Sequence, residues 1–135
     1  MESDMDTVYN ADTVDWEGLR VSAVEIATRA YAPYSGLHVG AAGLTSAGTI
    51  VLGCNVENSS YGLSLCAECT MAGQLRLSGG ARLVAVACRS GEGELLMPCG
   101  RCRQILLELG GPDCLVDTPN GSRPMRTVFP EPFLL

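Results

Sequence analysis

Two cysteine-bearing segments, each at the beginning of a predicted helix, constrain this chain more than any other feature. The first reads Cys-Ala-Glu-Cys at 66–69, and the second reads Pro-Cys-Gly-Arg-Cys at 98–102. Helix N-termini present unpaired N–H groups and a partial positive charge, which stabilise thiolates and lower cysteine pKa values. A fold that brings these two helix beginnings together would therefore create a site suited to a metal ion.

The pattern of apolar residues predicts helices packed on a mixed, partly parallel sheet. Apolar residues at three- and four-residue steps predict a helix over 16–30, with Asp12, Thr13 or Asp15 as its cap and Pro33 as its end. Ala47-Gly48 predicts a hairpin turn. The other expected elements are strands at 37–46, 49–54, 82–88, 94–97 and 114–117, a polar loop at 55–65, helices at 66–77 and 99–109, and no clear element in 119–135.

The charge distribution limits the classes of partner. Six of the 15 acidic residues lie in the first 17 positions, and the remaining nine are balanced by nine arginines. We expect residues 1–12 to be a disordered acidic tail and residues 13–135 to form a single domain. A polynucleotide-binding chain usually shows a basic face, so we expect no nucleic-acid partner.

The expected compartment is the cytoplasm. No apolar run approaches the ~20 residues of a membrane helix, and the first residues lack the basic and apolar parts of a signal peptide. We therefore expect no membrane partner. Seven cysteines in a reducing compartment indicate metal binding or catalysis rather than disulfides.

Three of the cysteines form a plausible catalytic zinc site. Thiolates from Cys66, Cys99 and Cys102 would fill three tetrahedral positions of Zn²⁺ and leave one position open, as catalytic zinc sites do. Water at that position becomes a nucleophile. Because three thiolates leave a net negative charge, we expect the helix ends, Arg101 or Arg103 to compensate it.

Glu68 is the candidate proton carrier. Residues two apart in a helix point to nearly opposite sides, so Cys66 and Glu68 can share one site only if Cys66 lies at the very first turn. We predict that geometry, because a carboxylate beside metal-bound water is suited to proton transfer. On its own, Glu68 would be explained as a first-turn glutamate stabilised by the helix dipole.

Five short motifs follow one another along the chain. They are P-Y-S at 33–35, V-G-A-A at 39–42, G-C-N-V-E-N-S-S-Y-G at 53–62, C-A-E at 66–68 and P-C-G-R-C-R-Q at 98–104. In this order and spacing they resemble the short, homotetrameric, zinc-dependent cytidine deaminases of nucleoside salvage, and the resemblance covers the chain from about Trp16 to Phe133. It implies a three-layer α/β/α sandwich and a homotetramer with shared active sites.

The resemblance also implies a reaction and a set of roles. The reaction is hydrolysis of the 4-amino group of cytidine and deoxycytidine, which gives uridine or deoxyuridine and ammonia in pyrimidine salvage. Zinc on the three cysteines and Glu68 as proton shuttle would carry the chemistry. The implied substrate contacts are Leu37 at the pyrimidine, Asn55 and Glu57 at the ribose hydroxyls, the Ala67 N–H at the 2-oxygen, the Met97 carbonyl at the departing amine, and Tyr61 and Phe133 in sites of neighbouring subunits.

Two positions depart from the pattern that the resemblance implies. Leu37 stands where phenylalanine is common, which keeps the pocket apolar but removes an aromatic contact. Cys69 stands where an arginine commonly hydrogen-bonds the thiolates. We expect Arg103 or the helix N–H groups to supply part of the missing compensation.

Two alternatives to this function remain open from the sequence. Cys69 could close the fourth zinc position, which would make the protein a structural zinc module without catalysis. Alternatively, the substrate could be another small aminopyrimidine-type compound. Outside the motifs, we interpret Cys54, Cys88 and Cys114 as small buried hydrophobic residues, and the lone His38 as a structural or partly exposed residue.

Overall fold

Two strand-helix units determine where the functional residues meet. A computed structural model of the chain describes residues 12–135, so the predicted tail lies outside the described residues except for Asp12. The helices are α1 (Trp16–Ala27), α2 (Ala67–Leu77), α3 (Gly100–Gly110) and α4 (Met125–Val128). The strands are β1 (Val39–Thr45), β2 (Ile50–Cys54), β3 (Leu83–Ser90), β4 (Leu115–Thr118) and β5 (Gly121–Pro124).

The five strands form one mixed sheet in the order β2-β1-β3-β4-β5. β1 is antiparallel to both β2 and β3, so β2 and β3 run in the same direction. β4 is parallel to β3. α2 therefore connects two parallel strands, as α3 does, and both helices begin at the carboxyl ends of β2 and β3.

The sheet lies between two helical layers, which confirms the predicted three-layer α/β/α arrangement. On one face, α1 packs on Ala42, Ala85 and Ala87 through Leu19 and Ala23. On the other face, α2 and α3 cover a larger core. β3 is buried on both faces, as its continuous apolar run predicts. The larger core consists of Ala41, Val51, Ala67, Met71, Leu75, Leu83, Val86, Cys88, Leu106, Cys114, Val116 and Met125.

The helix ends follow the local sequence signals. The Asp15 carboxylate caps α1 by accepting from the Gly18 N–H at 3.0 Å. α1 ends at Ala27, earlier than the predicted end at Pro33, because the N–H of Thr28 turns back to carbonyls within the last turn. Gly79 and Gly80 terminate α2 in the left-handed region, with φ of 113° and 74°, where glycine has no Cβ penalty.

α2 approaches β2 more closely than a side chain would permit. A Cβ on Gly53 would overlap the Ala67 carbonyl oxygen and the Met71 amide nitrogen. The Thr70 hydroxyl donates to the Cys54 carbonyl at 2.8 Å and joins the first turn of α2 to the end of β2. The beginning of α2 is therefore held at a defined height above the sheet.

Three predictions of elements were wrong. Residues 94–97 form no strand, and only an isolated bridge joins Arg89 to Leu95. Leu37 and His38 precede β1 instead of lying in it. The C-terminal segment, predicted without an element, contains β5 and α4, which pack against β4 and α3. The Asn120-Gly121 turn was the sequence signal for this hairpin.

A buried carboxylate on the face of the sheet covered by α1 joins that helix to β3 and β4. Asp117 of β4 has 2% of its side chain exposed and accepts from Arg20 of α1 at 3.0 Å and from Arg89 of β3 at 2.7 Å. Burial alone raises the pKa of the Asp117 carboxyl, but hydrogen bonds from Arg20 and Arg89 outweigh it, so the net pKa is lowered. Because these charges are buried, removing one partner would leave the others uncompensated and would destabilise the fold.

The Asp117→Asn variant should be less stable than the parent by about 3 kcal/mol at neutral pH, because two arginines lose their charged partner in a buried site. An aspartate ordinarily has a pKa of about 3.9, and the folded value is lower. The stabilisation is therefore complete above that ordinary value and is lost as the pH falls through the folded pKa. Denaturant unfolding at several pH values measures it.

Asp113→Asn is the matched control. Asp113 pairs with Arg126, but their side chains are 79% and 60% exposed, so its loss should cost less than about 1 kcal/mol. Equal effects of the two substitutions would contradict the role of the buried pair.

Candidate metal and substrate site

The beginning of α2 places Cys66 and Glu68 on the same cavity. Cys66 is the N-cap, with φ −71° and ψ 160°, and the helix proper starts at Ala67. The extended backbone at Cys66 turns its side chain out of the helical spiral. Both Cys66 and Glu68 line the cavity, so the predicted first-turn geometry is confirmed. Glu68 is 5% exposed, which places its carboxyl group in an environment with little water.

The beginning of α3 supplies the other two sulfur atoms. Cys99 is the N-cap of α3, with φ −68° and ψ 171°, and Cys102 lies in the first turn. The Sγ atoms of Cys66, Cys99 and Cys102 all lie within 4.8 Å of one another. Within residues 12–135, this group contains no further cysteine, histidine or carboxylate ligand, so Cys69 is outside it. The four-cysteine alternative therefore has no support in the geometry.

The spacing of the sulfur atoms fits a tetrahedral zinc ion. A Zn–S distance near 2.3 Å places the sulfurs of tetrahedral zinc roughly 3.8 Å apart. The Cys66 and Cys99 sulfurs are 3.9 Å apart. Three soft thiolates in this arrangement favour zinc over the hard, oxygen-preferring cations.

The thiols of this cluster differ in how readily they ionise. Burial raises the pKa of Cys66, and burial and the nearby Glu68 charge raise the pKa of Cys102. Burial also acts on Cys99, but hydrogen bonds from the Cys102 N–H, from the thiols of Cys102 and Cys66 and from the Arg101 N–H together outweigh it and lower the Cys99 pKa. A divalent cation would shift all three toward the thiolate, because opposite charge favours the ionised form.

The hydrogen bonds of Arg103 go to backbone carbonyls and not to the thiols, so they do not support its predicted role in charge compensation. The Arg103 guanidinium donates to the Pro98 carbonyl at 2.8 Å and to the Val128 carbonyl at 2.5 Å. It thereby joins α3 to α4. Arg101 donates to the Ser64 carbonyl at 3.2 Å, which ties the start of α3 to the loop before Cys66.

One cavity of about 350 Å³ collects most of the predicted site residues. Its volume is within the range typical of small-molecule sites. The substrate contacts expected from Ala67, Met97 and Leu37 therefore come from residues that border the same space as the cysteines. The predicted residues that line it are Leu37, Asn55, Glu57, Cys66, Ala67, Glu68, Met97 and Cys99, and Cys102 lies buried beside them.

Asn55 and Glu57 hold the segment that leads into β1. Asn55 accepts from the Val39 N–H at 2.8 Å and donates to the Leu37 carbonyl at 2.8 Å. One Glu57 oxygen accepts from the N–H groups of Tyr34 and Ser35 at 3.0 and 3.2 Å. Hydrogen bonds, first that from the Ser35 hydroxyl, lower the pKa of Glu57. Both residues retain hydrogen-bonding capacity for a ligand.

Tyr61 and Phe133 do not reach this cavity from their own chain. Tyr61 is 75% exposed and lines a neighbouring cavity of about 310 Å³ with Tyr34, Ser35, Glu57 and Ser64. Phe133 is 72% exposed, and its carbonyl accepts from Gln104 at 3.2 Å.

Part of the cavity wall consists of residues that the sequence did not predict for the site. Cys88 of β3 is buried in the core, as predicted, but it also lines the cavity with Glu68. Burial and then the Glu68 charge raise the pKa of Cys88 well above its ordinary value, so the Cys88 thiol stays protonated. The alternation of β3 could have indicated that Cys88 faces α2. The other wall residues to which the sequence assigned no role are Val39, Ser64, Leu65 and Leu96.

The Cys102→Ser variant should bind Zn²⁺ more weakly by at least about 100-fold, because it removes one of three thiolate ligands. Cys69→Ser, in the first turn of α2, is the matched control, and it should retain zinc at the parent level. Competition with a chromogenic chelator gives both affinities. An equal loss in the two variants would show that Cys69 is a ligand.

Most of this chain is similar in sequence to known proteins. The family model described as the cytidine and deoxycytidylate deaminase zinc-binding region matches residues 16–118. A cytidine deaminase from Mycobacterium tuberculosis is 53% identical over 120 residues, which cover 89% of this chain and 90% of the relative. A cytidine deaminase from Halalkalibacterium halodurans is 39% identical over 105 residues, covering 78% and 76% of the two chains.

Solved structures agree with the sequence relatives. The crystal structure of cytidine deaminase from Mycobacterium tuberculosis superposes with a TM-score of 0.88 at 53% identity, covering 90% of this chain and 99% of the other. That from Burkholderia pseudomallei gives 0.77 at 36% identity, with coverages of 89% and 100%. A match of this extent, together with the three-thiol cluster, shows that the chain belongs to the cytidine and deoxycytidylate deaminase family, whose defining region binds zinc.

Proposed function

We propose that this protein deaminates cytidine and deoxycytidine by hydrolysis, giving uridine or deoxyuridine and ammonia. One observation carries the proposal: a cluster of three zinc-suited thiols lies at a cavity that a buried carboxylate lines, and the same cavity presents an amide and a carboxylate for a sugar. The relatives named cytidine deaminase support the substrate class.

Zinc at Cys66, Cys99 and Cys102 would acidify water and act as a Lewis acid during attack at C4 of the pyrimidine. Glu68 supplies the proton transfers. It takes a proton from the attacking water, delivers it to ring N3, and later helps protonate the amine that leaves as ammonia. Because Glu68 returns to its starting form, the net reaction consumes one water and releases one ammonia.

Backbone groups around the cavity are suited to orient the pyrimidine. Ala67 is the first residue of α2, where a backbone N–H has no partner within the helix, and we assign it to the 2-oxygen. The Met97 carbonyl would accept from the departing amine. Leu37 would provide apolar contact with the ring.

Asn55 and Glu57 would bind the ribose hydroxyls. Their amide and carboxylate groups are fixed by the segment before β1, so their orientation is set before the nucleoside arrives. Such preorganisation reduces the entropy lost on binding.

We further propose a cytoplasmic homotetramer that acts in pyrimidine salvage and needs no membrane or nucleic-acid partner. None of the helices within residues 12–135 has both the length and the apolar character of a membrane crossing. The exposure of Tyr61 and Phe133 supports a second copy of the chain as their partner, since large aromatic side chains are enriched at interfaces.

The Glu68→Gln variant should lose kcat by about 10²- to 10⁴-fold on both cytidine and deoxycytidine, because the amide cannot carry a proton between water and the ring. The absorbance change of the pyrimidine and the release of ammonia measure turnover. Zinc content should remain at the parent level.

Glu108→Gln is the control for Glu68→Gln, since Glu108 is an exposed carboxylate on α3 and lies outside the cavity. It should keep the parent rate. Full activity of Glu68→Gln would remove the assignment of Glu68, and absence of ammonia release by the parent protein would remove the proposed function.

Mixed tetramers should test whether sites are shared. Glu68→Gln and Phe133→Ala subunits should each be poorly active alone, but their co-expression should raise activity above either, because some sites then combine an intact Glu68 with an intact Phe133. Sedimentation velocity gives the assembly state. A fully active monomer would contradict the shared site.

A further inference from the structure

The segment 33–38, between α1 and β1, forms part of the cavity wall without belonging to a helix or strand. It carries Leu37, which lines the cavity. One backbone bond, from Gly36 N–H to the Ala32 carbonyl at 3.0 Å, closes its turn. Side chains must therefore supply much of what holds Leu37 in place.

Ser35 lies at the centre of these side-chain contacts. Its hydroxyl donates to one oxygen of Glu57 and accepts from the Leu37 N–H at 3.0 Å. Its own N–H donates to the other Glu57 oxygen at 3.2 Å. A single serine thus contacts both carboxylate oxygens of Glu57 and the main chain of Leu37.

The contacts of Ser35 limit how Glu57 can move. A free glutamate samples many rotamers, and fixing one costs side-chain entropy whenever a ligand requires it. Because Ser35 engages both oxygens, Glu57 is fixed before a ligand binds. A carboxylate has about four acceptor sites, so these bonds leave room for a sugar hydroxyl.

We propose that Ser35 is a positioning residue for nucleoside binding, which orients Glu57 toward the sugar and couples it to the Leu37 wall of the base pocket. This rests on the proposed function, in which Glu57 binds the ribose. Ser35 acts on affinity through Glu57, and it takes no part in the proton transfers of Glu68.

The test is a double-mutant cycle on the zinc-loaded protein with cytidine as substrate. Ser35→Ala should raise KM about tenfold, the loss expected for hydrogen bonds to a charged group, and should change kcat by less than about threefold. In a Glu57→Gln background the same change should alter kcat/KM by less than about twofold. Ser35→Thr, which keeps the hydroxyl, should restore most of the affinity.

Binding of uridine, measured by calorimetry, separates this proposal from the proposed function. Ser35→Ala should raise the Kd of uridine about tenfold, and Ser22→Ala on α1 should leave both affinity and kinetics unchanged. A parent protein that binds uridine in this Ser35-dependent way but releases no ammonia from cytidine would overturn the deaminase function alone.

Three results would each overturn the positioning role of Ser35. The first is parent-like KM and uridine affinity in Ser35→Ala. The second is an equal loss of kcat/KM in the parent and Glu57→Gln backgrounds, because a general destabilisation of the turn would act independently of Glu57. The third is a loss that Ser35→Thr does not reduce.

Discussion

The convergence of two helix N-termini at one edge of the sheet is the constraint on which the site depends. β2 and β3 run in the same direction, and each is followed by a helix on the same face. The beginnings of these two helices therefore lie close together, although Cys66 and Cys99 are far apart in sequence. Since metal binding stabilises the folded state that assembles its ligands, the sheet and the thiol cluster support each other.

The alternation of β3 separates two buried charge systems. Cys88 faces the cavity with Glu68, whereas the adjacent Arg89 faces the layer of α1 and pairs with Asp117. Because side chains of neighbouring strand residues point to opposite faces, the guanidinium is directed away from the thiols. Near the thiols, backbone N–H groups at the start of α3 hydrogen-bond Cys99, and such groups do not titrate.

The side chains proposed to bind the sugar also hold local structure. Asn55 and Glu57 hold the segment before β1 as well as facing the cavity, and Ser35 connects Glu57 to Leu37. Substitution of Asn55 or Glu57 should therefore also move Leu37. Such coupling means that kinetic effects of these residues are not additive, and only cycles of paired substitutions can assign them.

The sequence by itself determined most of the helices and strands, and it predicted the three-cysteine cluster. The spacing of Cys66 and Glu68 required a first-turn geometry, and the structure has it, because the direction of side chains at a helix start depends on local backbone alone. The predicted strand at 94–97 is absent from the structure, and the sequence did not predict β5 and α4. Short segments such as β5 and α4 form only when β4 and α3 are present for them to pack against. Only the tertiary structure decided that Cys88 lies beside Glu68 and that Ser35 hydrogen-bonds Glu57. The residues of each pair are distant in sequence, and neither helix nor strand periodicity relates them.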